Sequence, residues 1–108
     1  MIIRGGHNIW PNEIVDVMNQ HPYIQETSII GTPDKFQGEI VVAYVIVKPN
    51  CKFNDIEKEL REFLKDKLVD YSIPAYIFEV EDLPRNSFGK VYAPKLKEMT
   101  ADFIQERF

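Results

Sequence analysis

Apolar residues recur along this chain in two spacings, and each predicts its own kind of element. Residues 40–47 are β-branched and almost wholly apolar, the signature of a strand covered on both faces near the middle of a sheet. Ile56, Leu60, Phe63, Leu64 and Leu68 fall at i, i+4, i+7, i+8 and i+12, one apolar stripe of a helix. Lys58, Glu59, Arg61, Glu62, Lys65 and Asp66 fill the other face, which reads as solvated surface. Ile14, Val17 and Met18 predict a shorter helix over 11–19. Pro11 suits its first turn, and His21-Pro22 stops it.

The remaining runs are shorter. Residues 1–4, 24–31 and 75–80 read as strands, the first ended by Gly5-Gly6. Thr32-Pro33-Asp34 reads as a turn, and Gly38 closes the connection to 40–47. That connection is too short for a crossover helix, so 24–31 and 40–47 are expected to pair antiparallel. Asn54 is the expected cap of the second helix, with Glu57 as its capping-box partner. Asn8 stands where it could cap the first. Pro94 opens a last helix with Leu96, Met99, Phe103 and Ile104 on one side. The predicted order is β-α-β-β-α-β-loop-α. This is an α+β fold, a small mixed or antiparallel sheet packed with about three helices on one or both faces.

Composition narrows the partners. A chain of 108 residues makes one domain. A formal net charge of −4 offers no basic field for nucleic acid. The single cysteine, Cys51, allows no internal disulfide, which suits a reducing, cytoplasmic setting. No apolar run approaches the roughly 18 residues of a membrane span, so no transmembrane segment is expected. His7, His21 and Cys51 give no zinc spacing. Walker-type and dinucleotide fingerprints are absent, so most of any nucleotide site is expected outside this chain.

Two runs carry candidate chemistry. In Leu83-Pro84-Arg85-Asn86-Ser87-Phe88-Gly89-Lys90-Val91, Gly89 permits backbone angles closed to other residues and presents Lys90 from a turn. An ammonium on a flexible stem can neutralise charge developing on phosphate and carboxylate oxygens. A surface hairpin with an ordinary solvated lysine satisfies the same pattern. Arg85 adds a local basic spot that could meet phosphate or water. At the other end, Gly5-Gly6 after a strand lets a narrow ligand approach bare backbone, or simply makes a tight turn. His7 reads as a hydrogen-bonded loop residue, and Trp10 as core or interface. Asp34 and Glu39 are read as a turn cap and a salt-bridge partner.

Four blocks in order resemble a known family. They are Ile3-Arg4-Gly5-Gly6-His7-Asn8-Ile9-Trp10-Pro11-Asn12-Glu13-Ile14; His21-Pro22-Tyr23-Ile24 leading into Ser28-Ile29-Ile30-Gly31; Pro33-Asp34 through Gly38-Glu39; and Leu83-Pro84-Arg85-Asn86 with Gly89-Lys90-Val91. The chain resembles, over essentially its whole length, the C-terminal domain of acyl-adenylate-forming (AMP-binding) enzymes. That group includes acyl-CoA synthetases, firefly luciferase and peptide-synthetase adenylation domains. The resemblance implies two steps: ATP activates a carboxylic acid to an acyl-adenylate, and the acyl group then passes to a thiol. It implies a large N-terminal adenylation domain beyond this chain, against which residues 1–108 rotate, with the hinge just upstream of Met1.

By similarity Lys90 is the catalytic residue of the first step. Gly5, Gly6, His7 and Gly89 are the cofactor-contacting positions, with the glycine pair lining the path of the pantetheine thiol. ATP and CoA are the implied co-substrates, and Mg2+ accompanies ATP mainly outside this domain. The Arg-Gly-Gly-x-Asn-Ile-x-Pro form of the first block is more like CoA ligases than carrier-loading adenylation domains. Loading of a carrier-protein phosphopantetheine, and a stand-alone binding module without catalysis, are the alternatives. The chain departs from the family at Tyr92 and Ala93, where a basic residue is usual, and at Val15 in place of a glutamate.

Overall fold

The computed structural model describes residues 2–34 and 38–107, without the side chains of Asp34, Ala93 and 102–107. Met1, the Asp34 carboxylate and the apolar side chains of Phe103 and Ile104 therefore lie outside the described residues. Among those described, the order is β1 (Ile2–Arg4), β2 (His7–Ile9), α1 (Pro11–Met18), β3 (Ile24–Asp34), β4 (Gly38–Val47), α2 (Ile56–Leu64), a 3-10 turn (Asp70–Ser72), β5 (Tyr76–Glu79) and α3 (Ala93–Arg107).

β4 is the centre of the sheet. β3 runs antiparallel along one side of it, from Ile24↔Val47 to Asp34↔Gly38. The other side is shared. β1 meets β4 at Arg4↔Gly38, antiparallel, and β5 pairs parallel with it from Val42↔Tyr76 to Val45↔Glu79. The mixed sheet and the expected antiparallel pair are both present.

Side chains of β4 alternate between two cores, which is why its sequence is apolar without a break. Val41, Ala43 and Val45 face a core with Ile14 and Met18 of α1 and Leu60 and Leu64 of α2. Ile40, Val42, Tyr44 and Ile46 face a second core with Leu83 and with Leu96 of α3. Two helices thus cover one face and one covers the other.

Several local expectations need correction. Thr32-Pro33-Asp34 is not a turn but the end of β3. β3 lies at the sheet edge, where a proline breaks no ladder on its outer side. The cap of α2 is Asp55, whose carboxylate accepts from the Lys58 N–H at 3.2 Å, rather than Asn54. Glu59, not Glu57, reaches back to the Asn54 and Asp55 N–H groups at 2.9 and 3.0 Å. Glu57 instead pairs with Arg61 at 3.3 Å and accepts from the Ile77 N–H. Arg61 also donates to the carbonyls of Pro74 and Ala75, so α2 and the entrance to β5 are tied by one ion pair. Leu68 lies beyond the helix end at Leu64 but still packs on the first core. α1 starts after Trp10, which makes no side-chain cap. Asn8 belongs to β2, and Trp10 is 53% exposed, not core.

Candidate functional site

Gly5 and Gly6 form the two-residue connection of the β1–β2 hairpin, closed by Arg4↔His7. Their φ values are 55° and 84°, the pair of positive angles that a tight type I′ hairpin turn demands and glycine meets without strain. A Cβ on either would meet nothing within 4 Å. Backbone angle, not crowding, selects glycine here, and the turn stands open to solvent.

His7 is part of a strand rather than a loop. Its ring stacks on Tyr71 at 4.1 Å between centroids, with planes 7° apart. Arg4 Nη1 donates to the Tyr71 carbonyl at 3.1 Å, so the hairpin is held to the 3-10 turn at two points. Arg4, Gly5, His7, Asp70 and Tyr71 line an open cavity of about 400 Å³, within the usual size range of small-ligand clefts. Neither β2 nor the Tyr71 stack was visible as a motif. The stack joins residues more than sixty positions apart, and β2 is too short to carry an alternating pattern.

Lys90 lies on a second hairpin, joined by the antiparallel bridge Arg85↔Val91. The Asn86 carboxamide oxygen accepts from the N–H groups of Phe88 at 2.9 Å and Lys90 at 3.2 Å, an Asx-type turn. Backbone bonds from Asn86 N to Lys90 O at 2.8 Å and from Gly89 N to Asn86 O at 3.0 Å complete it. Gly89 has φ 79°, so it supplies the turn its left-handed residue. Lys90 is exposed and, among the described residues, joins no ion pair. Phe88 beside it is 85% exposed.

Arg85 is neither a free basic spot nor simply solvated. Its Nη2 lies 2.7 Å from Glu26 Oε1 on β3 and 3.6 Å from Asp82 Oδ1. The Glu26 hydrogen bond pushes its guanidinium still higher than usual, so it stays a cation. Glu39 accepts from the Ile3 N–H at 3.2 Å and so joins β4 to β1.

The structure brings Gly5, Gly6 and His7 together, and Gly89 with Lys90, but keeps the two groups apart. The glycine hairpin leans on Gly38, at the start of β4. The lysine hairpin is held by Glu26, whose partner is Ile46 near the end of β4. Those strand positions are eight residues apart, roughly 27 Å at about 3.4 Å per residue. The hairpins also use opposite faces, Ile2 and Ile9 packing in the first core and Leu83 and Val91 in the second.

A small layered α+β domain with two glycine hairpins at opposite ends, one bearing an exposed lysine, is a module that can offer two different surfaces. The chain belongs to the AMP-binding enzyme C-terminal domain family, whose model matches residues 13–90. Its homologues include acyl-CoA ligases. It is 39% identical over 105 residues to the mitochondrial medium-chain acyl-CoA ligase ACSF2 of Rattus norvegicus, covering 97% of this chain and 17% of that protein. It is 38% identical over 99 residues to a long-chain-fatty-acid–CoA ligase of Bacillus subtilis (strain 168), covering 91% of this chain and 17% of that one. The crystal structure of apo MatB from Rhodopseudomonas palustris superposes with a TM-score of 0.86 at 32% identity, over 94% of this chain and 20% of that one. The chain thus spans about a fifth or less of the length of these relatives.

Proposed function

We propose that residues 1–108 are the rotating C-terminal lid of an AMP-forming acyl-CoA synthetase, an acid–thiol ligase, acting on a larger N-terminal adenylation domain of the same protein. The observation that carries this reading is the exposed Lys90, without an ion pair among the described residues, on a braced hairpin at the far end of the sheet from Gly5-Gly6. In the first step the Lys90 ammonium bridges the acid carboxylate and the phosphate. It neutralises charge as the carboxylate oxygen bonds to the α-phosphorus of ATP and pyrophosphate leaves. In the second, the Gly5-Gly6 turn, with His7 beside it, borders the path of the CoA thiol. The sulfur bonds to the acyl carbon there and AMP leaves. Gly89 contributes the backbone angle that presents Lys90 to the cofactor.

On this reading the Mg2+ that accompanies ATP is held mainly outside this domain. Among the described residues no group of three or more His, Cys, Asp or Glu is placed to hold a metal ion. No described helix is long and apolar enough to cross a membrane. We propose a cytoplasmic setting, which the single cysteine of this chain, Cys51, suits.

Lys90→Ala in the full-length enzyme tests the reading. Losing one preorganised transition-state donor is expected to lower acyl-adenylate formation about 100- to 1000-fold. Thioester formation from a pre-made acyl-adenylate should persist. Equal loss in both half-reactions would sink the assignment. Supplying free CoA beside a phosphopantetheinylated carrier identifies the acceptor, and the reading expects release of AMP with free CoA.

A further inference from the structure

One side chain ties the lysine hairpin to β3. Arg85 Nη2 meets Glu26 of β3 at 2.7 Å, and Asp82 at the hairpin base lies 3.6 Å from the same nitrogen. Its Nη1 donates to the Gly89 carbonyl at 3.4 Å, the oxygen of the peptide bond that leads into Lys90. One planar guanidinium therefore spans a rigid strand and the backbone from which the lysine departs. A lysine could not address these acceptors from one plane.

We propose that Arg85, braced by Glu26, is a positioning residue for Lys90. By joining β3 to the Gly89–Lys90 peptide, it sets the direction in which the ammonium leaves the hairpin. The proposal rests on the assignment of Lys90 to acyl-adenylate formation. Arg85 does not serve as a phosphate contact, since its fork is already engaged by two carboxylates. A part-exposed ion pair of this kind adds little to folding stability. A misplacement of about 1 Å at a reacting group, by contrast, can cost about a hundredfold in rate. The effect therefore belongs to the rate of one step and not to the fold.

The test uses the full-length enzyme with Arg85→Ala, Glu26→Gln, the double variant, and Lys90→Ala alongside. Acyl-adenylate formation is followed by pyrophosphate–ATP exchange, and thioester formation from pre-made acyl-adenylate. Arg85→Ala and Glu26→Gln are each expected to lower kcat for exchange about ten- to a hundredfold. KM for ATP, the thioester step and the melting temperature should be unchanged, and the double variant should be no worse than either single one. A raised KM for ATP in Arg85→Ala, with Glu26→Gln silent, would overturn positioning in favour of direct phosphate contact. Equal loss in both half-reactions with a lowered melting temperature would reduce the pair to a structural brace. Normal exchange in Lys90→Ala would remove the underlying assignment itself. Inactive Lys90→Ala beside fully active Arg85 and Glu26 variants would remove the positioning role alone.

Discussion

The hydroxyls of Tyr44 and Thr100 lie 2.7 Å apart inside the second core, joining the middle of β4 to α3. Thr100 Oγ1 also donates to the Leu96 carbonyl at 2.7 Å. Its one proton is thereby spoken for, and the tyrosine is the donor between them. Both residues are fully buried. Burial pushes the Tyr44 hydroxyl above its usual value, opposed by the Thr100 bond, so it remains protonated and able to donate.

Removing either hydroxyl should have unequal effects. Tyr44→Phe loses one hydrogen bond and is expected to cost about 0.5–1.5 kcal/mol. Thr100→Val removes the acceptor of a buried tyrosine hydroxyl and is expected to cost more, about 1–3 kcal/mol. Urea unfolding of the two variants checks the order, and a milder effect from Thr100→Val would contradict it.

A side chain at Gly31 would crowd two neighbours. A Cβ there would stand 2.6 Å from Glu39 Oε2 and 3.0 Å from Ile2 Cγ1. The same Glu39 holds the Ile3 N–H. Gly31→Ala is expected to displace that carboxylate, loosen β1 and destabilise the fold by about 1–3 kcal/mol. Thermal unfolding, with amide exchange at Ile3, measures both effects.

Gly6→Ala tests the other hairpin. Space is available for the methyl group, but φ is 84°, so the cost is conformational, about 1–2 kcal/mol. In the full-length enzyme the thioester step should slow while pyrophosphate exchange is spared. Loss confined to exchange would contradict the role proposed for the glycine pair.

His21 makes stability depend on pH. Its ring packs against Tyr23, Phe53 and Phe63 at 5.3, 5.1 and 4.9 Å, and Nδ1 accepts the Tyr23 N–H at 3.0 Å. Burial lowers its pKa below 6.5, against the raising effect of Glu59. The unfolded chain therefore takes up the proton first. Stability is full above about pH 6.5 and declines as pH falls from there toward the lower folded value. His21→Asn keeps an acceptor without a titrating ring and should flatten the melting temperature across this window. An unchanged slope would show that other groups dominate.

Much of this fold was legible because apolar spacing reports burial directly. The unbroken β4 run, the α2 stripe and the two glycine turns were each readable from the residues themselves. β2 was not. Its three residues include exposed His7 and Asn8, so it carries no alternation, and the pairing with β1 alone defines it. The end of β3 was misread because Pro33 usually marks a turn, and its position at the sheet edge is a tertiary fact. Asn54 and Asp55 are equally good caps on chemistry, and the reach of Glu59 decides between them. The contact of Arg85 with Glu26 was not visible, since 59 residues separate them and either alone looks like ordinary surface charge.

β4 is a stiff beam with a different implement near each tip, and its packing on both faces leaves little freedom to bend. Neither implement can travel to the other's place by loop motion across roughly 27 Å. On the proposed reading, whatever bench they share, one would be in use only while the other is turned away. Activation and delivery would then be mutually exclusive in time for any one molecule, and the reactive intermediate would wait, enclosed, through each changeover.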